Sequence, residues 1–181
     1  MTPEARRKKS KLLSFLLRHR PDMVGLRLDA GGWLGCTELL EAIAREGFSL
    51  TEEELREVVA TSDKARFEMS ADGKRVRAVQ GHSVDVELGY RAETPPELLF
   101  HGTSAGAVPS ILRSGLDPRS RVHVHLSPDR ASAEIVARRR STPVVLIVHA
   151  GDMARAGHEL FRAPNGVWLT KRVPPAFISE R

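Results

Sequence analysis

Cysteine is almost absent: Cys36 is the only one in 181 residues. A single thiol excludes an intramolecular disulfide framework and any Cys-rich zinc module, and it suits the reducing cytoplasm in which we expect the chain to reside. Long apolar runs are missing too. None approaches the roughly 18 residues needed to span a bilayer, so no membrane protein is expected. The basic N-terminus is followed by no apolar stretch and no small-residue cleavage site, so no signal peptide is expected either. Internal repeats and low-complexity tracts are lacking. What remains is ordinary in bulk. Hydrophobic residues make up 41% and charged residues 28%, a balance that suits a soluble globular protein and not a disordered one. The length fits one large domain or two small lobes.

Charge is unevenly placed. Residues 1–90 carry 15 Lys+Arg and 15 Asp+Glu, a net of zero, whereas residues 91–181 carry 13 and 8, a net of +5. Within the neutral half, seven bases (Arg6, Arg7, Lys8, Lys9, Lys11, Arg18, Arg20) precede residue 21 against one acid, Glu4, while many of the acids fall between Glu38 and Glu57. A basic face of this kind suits an anionic partner such as nucleic acid or a dinucleotide, although a solvated surface would look the same.

The polar, proline-containing stretch Ala92-Glu93-Thr94-Pro95-Pro96 separates two patterned segments and predicts a boundary between residues 1–92 and 93–181. In the first segment, Ser10 is expected to cap a helix carrying Leu12, Leu13, Phe15, Leu16 and Leu17 that stops before Pro21. Thr37 is expected to start a second helix, with Leu39, Leu40 and Ile43 on one side, ending near Gly47. Thr51 and Glu54 form a capping box ahead of Leu55, Val58 and Val59. Phe67 and Met69 then alternate with polar neighbours, Asp72-Gly73 supplies a turn, and Val76 and Ala78 alternate on the return. Three short helices and a basic hairpin predict a winged helix-turn-helix lobe. In the second segment, Leu98–Phe100, Val122–Leu126, Val144–Val148 and Val167–Leu169 read as strands. Helices are expected near 106–114 and 129–140, the latter capped by Asp129. The fold class predicted is α+β.

Three features could carry chemistry. Arg18-His19 ends the first helix, where a cation also favours the helix dipole. His101-Gly102-Thr103 follows a strand directly, so the backbone could turn sharply there and offer its N–H and C=O groups to a ligand. His123 and His125 stand two apart on a strand, but no further ligands of matching spacing accompany them, and no metal site is expected.

In combination the motifs become specific. LLRHRP, RF followed by RAVQGHS, LFHGTS, RVHVHLS and FRAPNGVWLT occur in this order across residues 10–178. Together they closely resemble the KptA-type RNA 2′-phosphotransferase family, which removes a splice-junction 2′-phosphate from RNA using NAD⁺. The resemblance implies an N-terminal winged-helix lobe and a C-terminal lobe of the ADP-ribosyltransferase type. It implies NAD⁺ as a consumed co-substrate and an RNA bearing a 2′-phosphate as partner; a monomer is the default. The implied reaction has two steps. The 2′-phosphate attacks the anomeric carbon of the nicotinamide ribose and expels nicotinamide. The ribose 2″-hydroxyl then attacks that phosphate, giving a free RNA 2′-hydroxyl and ADP-ribose 1″,2″-cyclic phosphate.

A phosphate dianion is already a competent nucleophile, so the first step needs a cationic cradle more than a base. The same cations serve the charge that builds on phosphorus in the second step. The resemblance assigns this work to Arg18, His19, Arg66 and Arg121. His19, whose side chain type titrates near neutrality, is the expected acid or base of the second step. Arg119, Arg138, Arg139 and Arg140 are neighbouring alternatives to Arg121, and Arg138–Arg140 fit equally well as a solvated helix end. The resemblance also implies an NAD⁺ pocket in which His101, Gly102 and Thr103 hold the ADP-ribose moiety. His125 and Ser127 sit on the next strand, and Asn165, Gly166 and Val167 border the nicotinamide, Val167 in the hydrophobic third position. Protein-modifying relatives commonly have glutamate at that third position, and its absence here favours an acceptor that is already anionic. Two rival readings share parts of this pattern: an ADP-ribosyltransferase that stops after the first step, and a winged-helix DNA-binding regulator.

Overall fold

The computed structural model describes residues 1–62 and 65–180, and the chain divides into two compact units, Met1–Gly89 and Tyr90–Arg181. Both mix helices with small antiparallel sheets, and no described helix is long and apolar enough to cross a membrane.

The first unit opens with α1 (Pro3–Arg18). It begins before Ser10, because Thr2 is the N-cap: its hydroxyl accepts from Ala5 N at 3.2 Å, and Pro3 occupies the first turn, where no N–H is needed. The charged stretch Arg6–Lys11 is thus helical surface, while Leu13, Leu16 and Leu17 are buried on the other side. Helix α2 (Cys36–Arg45) is capped by Gly35 with no side-chain bond, so Thr37 lies inside its first turn instead of starting it. It ends on Gly47 at φ +80°, with Phe48 N bonding Ile43 O and Gly47 N bonding Ala44 O, a paired closure that only a left-handed residue allows. Helix α3 (Glu52–Ala60) has the expected capping box: Glu54 N donates to the Thr51 hydroxyl at 3.2 Å, and Thr51 N to the Glu54 carboxylate at 3.0 Å. Leu39, Ile43, Leu55, Val58, Phe67 and Val76 join the α1 leucines in one core.

Strands β2 (Phe67–Met69) and β3 (Arg75–Ala78) form the expected hairpin, and a two-residue β1 (Leu34–Gly35) pairs with the far edge of β3. One position departs from simple alternation. Arg77, between Val76 and Ala78, is only 9% exposed. Its guanidinium pairs with Glu68, donates to Gly31 O at 2.9 Å and Leu88 O at 3.0 Å, and stacks 4.4 Å from the Trp33 ring centre. Burial of a charge on the sheet is tolerated because every side of it is met by an acceptor or a π-face.

The second unit is built on two three-stranded antiparallel sheets. In one, β4 (Leu98–Ser104) pairs with β6 (Pro143–His149), and β6 with β9 (Ile178–Ser179). In the other, β5 (Val124–Leu126) pairs with β8 (Trp168–Thr170), and β8 with β7 (Phe161–Arg162). A bridge between Phe100 and Ser127 stitches β4 to the end of β5, Phe100 N to Ser127 O at 3.0 Å and Ser127 N to Phe100 O at 2.7 Å. Helices α4 (Val108–Ser114), α5 (Arg130–Ala137) and α6 (Ala150–Arg155) complete the unit. Asp129 caps α5 as expected, accepting from Ser132 N at 2.7 Å. Leu99, Leu126, Leu146, Val148, Met153 and Trp168 lie at the centre of the core.

Candidate functional site

In the first unit, residues from three separated motifs converge. Arg18 ends α1 and His19 is its C-cap. Arg66 precedes β2, beside Ala65, which adopts a left-handed φ of 39°. Arg18 Nη2 donates to Arg66 O at 3.5 Å, and the same carbonyl accepts from Val79 N at 3.0 Å. Ser83 N donates to Arg18 O at 2.8 Å, and the Ser83 hydroxyl shares a hydrogen with His19 Nδ1 at 2.9 Å. Arg66 is held in turn by Ser62, whose hydroxyl accepts from its N at 3.3 Å and its Nη1 at 3.4 Å. Gly81, at φ +90°, brings the chain past the Arg18 guanidinium, since a Cβ there would lie 3.6 Å from its Nη1. The helix end, the start of the hairpin and the Gly81–Ser83 turn thus tie the Arg18 guanidinium to the Arg66 backbone and the His19 imidazole to Ser83. Lys64, two residues before Arg66, lies outside the described residues.

Ser83 is the residue that reading candidates one by one misses. Its only signal is its place in RAVQGHS, which looks like a turn. In the structure it is what orients His19.

In the second unit, His101 lies within β4, which continues unbroken to Ser104 with Thr103 opposite Val144. No sharp turn occurs at His101-Gly102-Thr103, so the expected presentation of backbone by a turn is corrected. Gly102 has a different purpose. A Cβ there would overlap the Ala133 carbonyl and come within 2.8 Å of Ala137 N, so glycine lets α5 lie directly on the strand. Thr103 is buried in the same layer.

His101 Nδ1 donates to His125 O at 3.1 Å, which places its hydrogen on Nδ1. Burial is the main force holding the imidazole below its ordinary value of 6.5, and the positive charges of Arg140 and Arg119 add to it, while the His125 carbonyl opposes them. A neutral ring with hydrogen on Nδ1 offers Nε2 as an acceptor, which a ribose hydroxyl would suit. Arg121 Nη1 donates to His125 Nδ1 at 3.4 Å. Desolvation first, then the charges of Arg140 and Arg139, lower the Arg121 guanidinium from its usual value, yet an arginine remains charged.

Ser127 stands at the end of β5, tied to Phe100 beside His101. Extending the β5–β8 register by one step puts Val167 opposite Ser127. Asn165 and Gly166 form the turn between β7 and β8: Gly166 N bonds Ala163 O at 2.9 Å, Asn165 Oδ1 accepts from Val167 N at 3.2 Å, and Gly166 has φ +80°. Pro164, Asn165 and Gly166 each suit their place in such a turn. One carboxamide oxygen is therefore already engaged in shaping the loop. His123 packs edge-on against Phe161 with centroids 6.1 Å apart, and burial followed by Lys171 lowers its pKa.

The structure therefore brings Arg18, His19 and Arg66 together in one unit. In the other it gathers His101, His125, Ser127, Val167 and Arg121 around the seam of β4 and β5.

Residues 4–172 match the model of the family described as "RNA 2′-phosphotransferase, Tpt1 / KptA family". The chain is 47% identical over 169 residues to a "Probable RNA 2′-phosphotransferase" of Burkholderia pseudomallei, covering 93% of this chain and 92% of that one. It is 50% identical over 172 residues to the protein of the same name in Pseudomonas aeruginosa, covering 94% of each. With the one from Agrobacterium fabrum it shares 50% over 170 residues, covering 94% and 91%.

Proposed function

The chain belongs to the RNA 2′-phosphotransferase, Tpt1 / KptA family, and on that premise we propose that it removes a 2′-phosphate from RNA by transferring it to NAD⁺. The observation that carries this reading is the convergence of Arg18 and His19 from one motif with Arg66 from another, through the Arg66 carbonyl and the Ser83 hydroxyl. Two guanidinium forks and an imidazole suit a phosphate group, and an imidazole can move a proton. A helix-dipole role for Arg18 alone would need neither Arg66 nor Ser83.

The second unit fits NAD⁺ as co-substrate on the evidence of its own polar groups. His101 is held toward its neutral form, chiefly by burial, with Nε2 as an acceptor for a ribose hydroxyl. Val167, not a carboxylate, stands opposite Ser127, so the unit supplies no base to activate a neutral nucleophile there. A phosphate dianion needs none. In this reading Arg18 and Arg66 bind the 2′-phosphate and neutralise the charge that builds on phosphorus, and the family resemblance assigns the same kind of work to Arg121. His19, oriented by Ser83, takes the 2″-hydroxyl proton or gives one to the leaving 2′-oxygen. The same reading takes the first unit as a winged-helix lobe and the second as an ADP-ribosyltransferase-type lobe.

The test is nicotinamide release from NAD⁺ in the presence of matched oligoribonucleotides with and without an internal 2′-phosphate. Release that depends on the 2′-phosphate supports the reading. Release that is indifferent to it, with a stable ADP-ribosylated adduct, would point to a transferase that stops after one step. No release at all would overturn the proposal.

A further inference from the structure

Arg119, Arg139 and Arg140 are all exposed, and none pairs with a carboxylate among the described residues. In the same unit, Arg130, Arg155 and Arg172 each do. The acids that could have neutralised the three are engaged elsewhere: Asp129 caps α5 through Ser132, Glu134 faces Arg130, and Asp117 faces Arg172. The three arginines come from two loops, one before β5 and one after α5. Both loops are anchored to the His101 region. The α5 end rests on Gly102 through Ala137, whose carbonyl accepts from Arg140 N at 2.8 Å, and Thr142 O accepts from Ala105 N at 2.9 Å. Arg121, in the other loop, reaches His125.

Both loops also carry backbone strain. Arg119 has φ +59° and Thr142 φ +52°, values that residues with a Cβ rarely adopt. Strain of this kind persists where surrounding structure imposes it, often at ligand sites. The arginines act on the site electrostatically as well, since Arg140 and Arg119 disfavour protonation of His101.

Resting on the function read above, we propose that Arg119, Arg139 and Arg140 form a docking surface for the backbone phosphates of the RNA strand on either side of the reacting 2′-phosphate. Unpaired, exposed arginines beside a site would repel one another at a cost if nothing anionic ever lay on them. A strand of RNA presents a row of separate charges that suits cations spread over two loops. The pyrophosphate of NAD⁺ is a single compact group and would be met by one or two forks. The surface reads charge, not sequence.

The experiment measures binding of a 2′-phosphorylated oligoribonucleotide, as a function of salt, to the full-length protein and to R139A/R140A, with R130A as a control of like charge type that is paired to Glu134. Two lost phosphate contacts should weaken binding by about tenfold or more near physiological salt. They should also flatten the slope of log K against log salt by about 1.4, at about 0.7 per single-strand contact. Affinity for NAD⁺ should not change, and R130A should behave as wild type. Weaker NAD⁺ binding with unchanged RNA binding would assign the arginines to the pyrophosphate and overturn the proposal. Wild-type RNA affinity and slope in R139A/R140A would overturn it as well. The readout does not require turnover: RNA binding that depends on these arginines, in a protein that never transfers the phosphate, would sink the functional reading and leave the docking surface standing.

Discussion

His101 is where a single hydrogen decides what a ligand meets. With Nδ1–H committed to the His125 carbonyl, only the neutral ring leaves an acceptor for a ribose hydroxyl. The His101→Ala variant is expected to lose about 1–3 kcal/mol of NAD⁺ binding, the cost of leaving a polar partner unmet, and isothermal titration measures it. Acid should do the same to the wild type. The folded-state pKa of His101 lies below 6.5, so the unfolded chain takes up the proton first as pH falls. The stability tied to the neutral ring is present above pH 6.5 and is lost as pH drops through the lower folded value. NAD⁺ affinity should decline across the same window, and a pH series on His101→Gln that kept the wild-type decline would remove His101 from the pocket. At the phosphate, Arg18→Ala, Arg66→Ala and Arg121→Ala are each expected to slow turnover of 2′-phosphorylated RNA about a hundredfold or more, the scale of losing one preorganised charge contact. Lysine should rescue poorly because a point charge cannot form the fork. Near-normal turnover by Arg18→Ala or Arg66→Ala would reduce the first unit to a nucleic-acid-binding appendage.

Among the elements, the contact of α5 with β4 controls the His101 region. Gly102→Ala would drive a methyl group into the Ala133 carbonyl, so α5 must move off the strand. Overpacking of this kind costs about 1–3 kcal/mol, and a thermal melt with unchanged Tm would contradict the role given to Gly102. In the first unit, Thr51→Ala should cost about 1 kcal/mol by uncapping α3, read as a shift of the denaturation midpoint. Both capped helices were legible in the sequence because a cap is a local signal: Thr51 with Glu54, and Asp129 before α5. The start of α1 was not. Among its first turns only Ala5 is apolar apart from Pro3, too little to mark a buried face. Short β1, β7 and β9 escaped for a related reason: two residues cannot display a period, and only their partners define them.

For the whole molecule, the order of motifs along the chain identified the residues, but not what holds them. Ser83 orients His19 from 64 positions away, and Arg77 is buried between two carbonyls, a carboxylate and an indole. Long-range partners of this kind leave no local trace. The need for glycine at position 102 has no local sign either, since its neighbours in α5 lie about thirty residues on and meet it only when the helix is seated. The charge split was plain from the start. The second half carries all of the net +5, and Arg119, Arg139 and Arg140 act on His101 or on Arg121.

The central proposal is transfer of the RNA 2′-phosphate to NAD⁺. The most direct measurement follows the phosphorus atom. An oligoribonucleotide labelled with ³²P at the 2′-phosphate is incubated with the protein and NAD⁺, and the labelled products are separated. All label lost from the RNA should appear in ADP-ribose 1″,2″-cyclic phosphate, with one nicotinamide released for each. Label released as inorganic phosphate, or label still on RNA after NAD⁺ has been consumed, would contradict transfer of the 2′-phosphate to NAD⁺.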